Sequence, residues 1–222
     1  QIMEMQPQTA LLNKEQIRAF PPFQNLSAER IVILKTIEQC LAIQDELNQI
    51  SIFGFDTESK PTFKVGEKST GPHLIQLATL HKAYLFQVND EILYFLKSIL
   101  ESEQQLKVGF GLKNDAHIFR AKGIVPQSLV DLAKCFASFG YRSQVGVQTA
   151  VALLFQTYLA KSKKVSTSNW AVKNLSPQQI SYATADAYAA LLIFQYLEQH
   201  QLLPTSMQQQ ISKIQHASAS KT

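Results

Sequence analysis

The sequence predicts an α/β fold: one domain with a mixed β-sheet flanked by helices. Three observations predict it. Short β-branched or alternating apolar runs, including a hairpin, come early, between residues 30 and 88; strand-like and helical runs then alternate; and the last long periodic segment, 176–200, is helical throughout.

Each element follows from its own residues. RIVILK (30–35) is a β-branched run, hence a strand, and TIEQCLAIQDEL (36–47) spaces Ile37, Cys40, Leu41 and Leu47 as a helix does. ISIFGFDTE (50–58) reads as a buried strand that ends in acids. HLIQLATL (73–80) and KAYLFQV (82–88) alternate around a short turn and predict a hairpin. DEILYFLKSILE (90–101) opens with acids, as a helix N-terminus should. LKVGFG (106–111) is a strand, and LKNDAHIFRAKG (112–123) a helix closed by Gly123. SLVDLAKCFA (128–137) reads as a short strand turning into a helix, and VGVQTAVALLFQTYLA (145–160) as a helix. SPQQISYATADAYAALLIFQYLEQH (176–200) is the longest helix, with Ser176 as its cap and Pro177 in its first turn. Residues 1–22 read as a polar leader whose Leu11, Leu12, Ile17 and Phe20 form a short amphipathic arm. The domain proper spans 23–203, and 204–222 is expected to be a mobile tail.

With 222 residues, 45% hydrophobic and 17% charged, the chain is long enough to bury one full core and is not of disordered composition. No stretch approaches the roughly 20 apolar residues of a membrane-spanning helix, and the first residues carry no basic-then-apolar signal. Cys40 and Cys135 form no ligand motif and are expected as reduced core residues of a cytoplasmic protein. The net charge of +4 is compatible with a polyanionic partner.

The chemistry lies in the carboxylates. Asp56 and Glu58 are two apart on a strand, so both face one side. Alone, such a pair is commonly just a solvent-exposed strand end. Asp115 opens a helix directly after a buried strand, where an acid also favours the helix dipole. Asp186 is different: it lies among Ala, Tyr and Leu with no basic residue within four positions, and a buried acid there needs a cation. Tyr182, one turn earlier, shares its face. Four oxygen donors without grouped His or Cys point to hard divalent cations, magnesium or manganese, rather than zinc. Two such cations are a recurring apparatus for attack on a phosphodiester.

Asp56-x-Glu58, Asp115 and Tyr182-x-x-x-Asp186, in that order and set in GFDTES, HLIQLAT, LKNDAHIF, TSNW and YATADAYAALLIF, resemble the DEDDy class of 3′–5′ exonucleases. Within it the chain resembles the ribonuclease D and Werner-syndrome-type exonuclease domains over residues 31–200, nearly all of the folded part. The resemblance implies a ribonuclease-H-like mixed sheet. It also implies release of nucleoside 5′-monophosphates from a DNA or RNA 3′ end, single-stranded or recessed. It makes Asp56 the bridge between two Mg2+ or Mn2+ ions, with Glu58 and Asp186 completing the first site, Asp115 supporting the second and Tyr182 orienting the attacking water. The His variant of the superfamily is excluded, because the position five before Asp186 is Ser181.

Two positions depart from the pattern. Several relatives place an aromatic residue directly after the first Glu, where this chain has Ser59; Phe63 is the expected substitute for stacking a terminal base. His117 adjoins the second motif but matches no role in the Tyr class, and reads as a structural helix residue. Lys60, Lys64 and Lys68 surround Phe63, and Lys161, Lys163 and Lys164 precede Trp170; these patches flank the acids and are placed to track a phosphate backbone. A non-catalytic nucleic-acid-binding module on the same fold is the competing reading, and a small-molecule hydrolase a third.

Overall fold

The strand Ile52–Glu58 sets the architecture. Its odd residues Phe53 and Phe55 are fully buried on one face. Its even residues Gly54, Asp56 and Glu58 turn to the other, as a pleated strand requires. The structure, a computed structural model, describes residues 11–220. Around that strand the chain forms α1 (Lys14–Arg18), β1 (Ile31–Leu34), α2 (Ile37–Ala42), α3 (Gln44–Asn48), β2 (Ile52–Glu58), β3 (Leu74–Ala78), β4 (Ala83–Gln87), α4 (Asp90–Leu100), β5 (Leu106–Gly109), α5 (Lys113–Ala121), β6 (Leu129–Asp131), α6 (Val147–Phe155), α7 (Lys163–Ser166), α8 (Pro177–Gln199) and α9 (Thr205–Ala219).

The strands form one mixed sheet in the order β1-β4-β3-β2-β5-β6. The β2–β3–β4 meander is antiparallel, and β1, β5 and β6 join it in parallel. On the odd face of β2, Phe53, Phe55, Ile75 and Phe86 pack against Cys40, Leu47, Ile92, Leu96 and Phe119 of α2 to α5. On the opposite face, Val108 and Val130 pack against Ala150, Val151 and Leu154 of α6 and Ile193, Phe194 and Leu197 of α8. No helix among the described residues is long and apolar enough to cross a membrane.

Helix α8 lies on the sheet with almost no side chain between backbones. A Cβ built on Gly54 would sit 1.9 Å from the carbonyl oxygen of Ala187. Only glycine allows that approach, and the small Ala183, Ala187 and Ala190 face inward around it. The helix starts where the sequence predicts. Ser176 Oγ accepts from the Gln179 amide at 3.1 Å, and Gln179 Oε1 accepts from the Ser176 amide at 3.0 Å, closing a capping box ahead of Pro177.

Several boundaries differ from expectation. The 36–47 helix is interrupted at Ile43, whose φ of −112° and ψ of 9° leave the helical region, giving α2 and α3. After β6 the chain makes only turns and a 3-10 segment over Ala137–Phe139, not a helix. Helix α6 stops at Phe155 because Gln156 adopts a left-handed φ of 48°. Lys163 and Lys164 open the one-turn helix α7. The tail expected beyond residue 203 is the helix α9, whose Ile211 is buried in the core cluster, with Met207 and Ile214 packed against it. In the leader, Ile17 is buried and Leu12 half-buried, but Leu11 is exposed; residues 1–10 lie outside the described residues. Both cysteines are buried and free, as expected.

β5 holds a feature that its pattern does not announce. Lys107 is fully buried on the α4 side, and its ammonium donates to the carbonyls of Ile99 at 2.8 Å and Ser102 at 2.9 Å at the C-terminal end of α4. Those carbonyls carry the negative end of the helix dipole. Burial pulls its pKa down to about 7.

The Gly54–Ala187 contact leads to the first prediction. Gly54→Ala must push α8 off β2, and a backbone obstacle has no rotamer to absorb it. The expected loss is about 3 kcal/mol or more, a drop in melting temperature on the order of 10 °C for a domain of this size. A variant that melts within about 2 °C of wild type would show that the backbones are not in contact.

Candidate active site

The close approach of α8 to β2 builds the site. Asp56 and Glu58 project from β2 toward the helix, and Asp186 follows the inward-facing Ala183 by one helical turn. One carboxylate oxygen from each of Asp56, Glu58 and Asp186 lies within 4.8 Å of the others. Asp186 is only 6% exposed, so α8 carries a nearly buried acid into an acidic cluster.

Such crowding must be compensated. Burial, then the Asp186 and Glu58 charges, hold the Asp56 pKa well above the carboxylate range. Burial and the Asp186 charge push Glu58 up to about 8. Asp186 is raised by burial but held back by the Lys161 charge and by hydrogen bonds with Lys161 and Asp56. The cation is Lys161: its Nζ lies 3.0 Å from Asp186 Oδ1 and 3.1 Å from Oδ2. Burial works against the ammonium, but the Asp186 charge, then Tyr182, hold its pKa above the ordinary lysine range.

Tyr182 is fixed from several sides. Its ring packs at 5.9 Å on Trp170, which is buried and donates from Nε1 to the Ser166 carbonyl at 3.0 Å. Lys161 Nζ lies 5.2 Å from the ring centroid on another side. Gln179 ties the TSNW segment to α8, donating from Nε2 to Ser168 Oγ at 3.0 Å and to the Asn169 carbonyl at 3.2 Å. Burial and the nearby Asp186 raise the phenol pKa, so Tyr182 is a protonated donor at neutral pH.

Asp115 reaches the site differently. It lies in the first turn of α5 and accepts a short hydrogen bond from Thr57 Oγ1, the residue between Asp56 and Glu58 that points to the opposite face of β2. It is not in the 4.8 Å group. Its pKa is raised by burial, against the pull of Thr57. The turn before α5 is clamped by Asp131, whose carboxylate accepts from the amides of Gly111 at 3.0 Å and Leu112 at 2.9 Å.

A cleft of about 480 Å³ opens over the cluster, lined by Asp56, Glu58, Lys161, Tyr182 and Asp186 together with Phe110, Gln144, Val145 and Val147. The last four were not found from the sequence. Phe110-Gly111 directly follows a strand, which is a usable signal, but 144–147 carries none. Helix α6 begins there at Gly146 with no side-chain cap. Lys60, Phe63, Lys64, Lys68, Lys163 and Lys164 are not among the lining residues. Phe63 is 83% exposed on the β2–β3 loop, where its amide and that of Lys64 donate to Glu67 Oε2. Ser59 packs against Gly71, its Oγ 2.1 Å from where a Cβ there would be. His117 is exposed on α5, outside the cluster.

Residues 31–201 match the family model described as 3′–5′ exonuclease. The chain belongs to the 3′–5′ exonuclease family. It is 29% identical over 165 residues to the bifunctional 3′–5′ exonuclease/ATP-dependent helicase WRN of Mus musculus, covering 70% of this chain and 11% of that protein. It is also 29% identical over 160 residues to ribonuclease D of Acidiphilium cryptum, covering 70% and 39%. The chain thus spans 11% to 53% of the length of the curated relatives it matches. Among solved structures, the Aedes aegypti Nibbler EXO domain superposes with a TM-score of 0.70 at 22% identity, covering 85% of this chain and all of that one. Escherichia coli ribonuclease D superposes at 0.64 and 21%, covering 86% and 51%. The expected ribonuclease-H-like fold and the resemblance to ribonuclease D and Werner-type domains are thus both met.

The donor set of the 3′–5′ exonuclease fold fits divalent metal here. Three hard oxygen donors converge, their own repulsion retains protons, and the position already attracts a cation in Lys161. A pH dependence follows. Folded Glu58 titrates near 8, above the value near 4.3 of an unfolded glutamate, so the folded state binds more protons between those values. Stability of the chelator-treated protein should therefore fall as pH rises from about 5 to about 8. Glu58→Gln should lessen that fall in a series of thermal melts; identical slopes for the two proteins would contradict the shift.

Proposed function

We propose that the chain is a metal-dependent 3′–5′ exonuclease that releases nucleoside 5′-monophosphates from DNA or RNA ends by two-metal-ion hydrolysis. The observation that carries this reading is the convergence of Asp56, Glu58 and Asp186 within 4.8 Å, beside Tyr182 and in an open cleft. Asp56, Glu58 and Asp186 would hold one Mg2+ or Mn2+ ion, with Asp56 shared to a second ion that Asp115 supports. Bound there, the ions supply an activated water and neutralise charge on the attacking and leaving oxygens. The chain's own groups do the positioning. Tyr182, a protonated phenol braced by Trp170, donates a hydrogen bond that orients the nucleophile. The uncapped start of α6, which lines the cleft, suits a phosphate. A nucleic-acid substrate is supported by the complex of Trypanosoma brucei RNase D with RNA U12, which superposes on this chain at a TM-score of 0.65.

The test is incubation of 5′-labelled single-stranded RNA and DNA with Mg2+, Mn2+ or EDTA. Stepwise shortening from the 3′ end that EDTA abolishes is the expected result; retention of the strand without cleavage would favour the binding-module reading. Asp56→Ala and Asp186→Ala should abolish shortening while the fold persists, and activity within a few-fold of wild type would sink the metal assignment. Tyr182→Phe keeps the ring and should slow turnover by on the order of 10²-fold, with binding unchanged; an unaltered rate would reduce the tyrosine to packing.

The exposed lysines give an independent prediction. In this reading Lys60, Lys64 and Lys68 on one side, with Lys163 and Lys164 on the other, hold the phosphate backbone outside the cleft, with Phe63 against a base. Neutralising the first three should flatten log affinity against log salt by up to about 3 × 0.7. An unchanged slope in both sets of variants would move the backbone path elsewhere.

A further inference from the structure

Asp186 presents both of its oxygens to one ammonium. Lys161 Nζ stands 3.0 Å from Oδ1 and 3.1 Å from Oδ2. Lys161 is exposed as a residue, with 31% of its side chain accessible, but the chain on either side of it is fixed. Leu159 is buried, and its carbonyl accepts from Gln148 Nε2 at 2.7 Å. Tyr158 pairs with the N-terminal arm, its amide donating to the Pro21 carbonyl at 2.7 Å and its carbonyl accepting from the Phe23 amide at 2.9 Å. On the other side Ser162 caps α7, its Oγ accepting from the Val165 amide at 3.3 Å. The lysine stem thus runs from a pinned segment into the cleft and ends on one of the three clustered carboxylates.

Both Asp186 oxygens already face that one ammonium, so a divalent ion arriving at either of them meets a positive charge that the flexible lysine stem can withdraw. A divalent ion on an Asp186 oxygen would sit within about 4 Å of the ammonium, and like charges at that range in a partly buried site repel strongly. We propose that Lys161 is an exchangeable cation of the site: its ammonium holds Asp186 until a divalent ion takes that carboxylate, and the ion binds only by displacing it. The inference rests on the metal reading above. The exchange keeps positive charge on Asp186 in both states, so the cluster never carries its full repulsion. It also opposes metal binding, by the free energy of the pair it breaks.

The experiment is calorimetric titration of Mn2+ into chelator-stripped wild type, Lys161→Met and Lys161→Arg, with Asp186→Asn as the control that marks the site. Lys161→Met keeps the length and apolar stem of the side chain and removes its charge. Its Mn2+ affinity should rise by about tenfold or more, while Lys161→Arg, which still pairs with Asp186, stays near wild type. A second readout needs no variant to fold: in 15N-lysine-labelled wild type, Mg2+ should shift the protected ammonium resonance and hasten its hydrogen exchange as the pair breaks. Mn2+ affinity unchanged or weakened in a folded Lys161→Met, or an ammonium signal unmoved at saturating Mg2+, overturns the exchange while leaving the metal site standing. Wild type that binds no Mn2+, or binds it equally well as Asp186→Asn, overturns the metal reading and the exchange together.

Discussion

The backbone contact between Gly54 and Ala187 is the constraint on which the site depends. A helix packed on a sheet through ordinary side chains stands about 10 Å away, as stacked layers do, and a carboxylate on it would stay well clear of the strand. Here the absent Cβ at Gly54 lets α8 settle onto β2, and Asp186 arrives beside Asp56 and Glu58. The glycine lies two residues before the first acid, so the closest approach and the chemistry occupy neighbouring pleats of one strand. The capping box at Ser176 fixes where α8 starts, and therefore which of its residues meets Gly54.

The electrostatics follow from that proximity. Three acids held this close cannot all ionise without help, and the protein supplies two forms of it: protons retained within the cluster, whose carboxyls are held above their ordinary range, and an ammonium from Lys161. Both are replaceable by a stronger cation. Asp115 stands apart, on the far side of β2 and joined to the strand through Thr57, so its carboxylate is positioned by a different helix and a different clamp, Asp131.

Much of this was legible in the sequence, because it rests on local pattern. The six strands follow from β-branched and alternating runs, the β3–β4 hairpin from its turn, and the α8 start from Ser176-Pro177. Asp56, Glu58 and Asp186, which the structure brings together, stand out because they interrupt apolar runs at strand and helix positions. What was not legible depends on contacts between distant residues. An acid at 186 in apolar surroundings announces the need for a cation, yet nothing local names Lys161, 25 residues earlier, as the one that meets it. Lys107 reads as an ordinary strand residue, and only the end of α4 makes its burial tolerable. The break at Ile43 and the left-handed Gln156 lack Gly or Pro to mark them. Helix α9 was missed for another reason: Met207, Ile211 and Ile214 do carry helical spacing, but the glutamines around them mask it.

The order of the sheet has a consequence for how this chain keeps to itself. Its outermost strands, β1 and β6, are only four and three residues long. An edge strand is a template on which another chain can add, and the hazard grows with its length and flatness. The long strand that carries the chemistry, β2, is enclosed between β3 and β5 and offers no free edge. The element that must not be remodelled is therefore also the one with no edge to offer an aggregating neighbour, and the margins that do offer one are short.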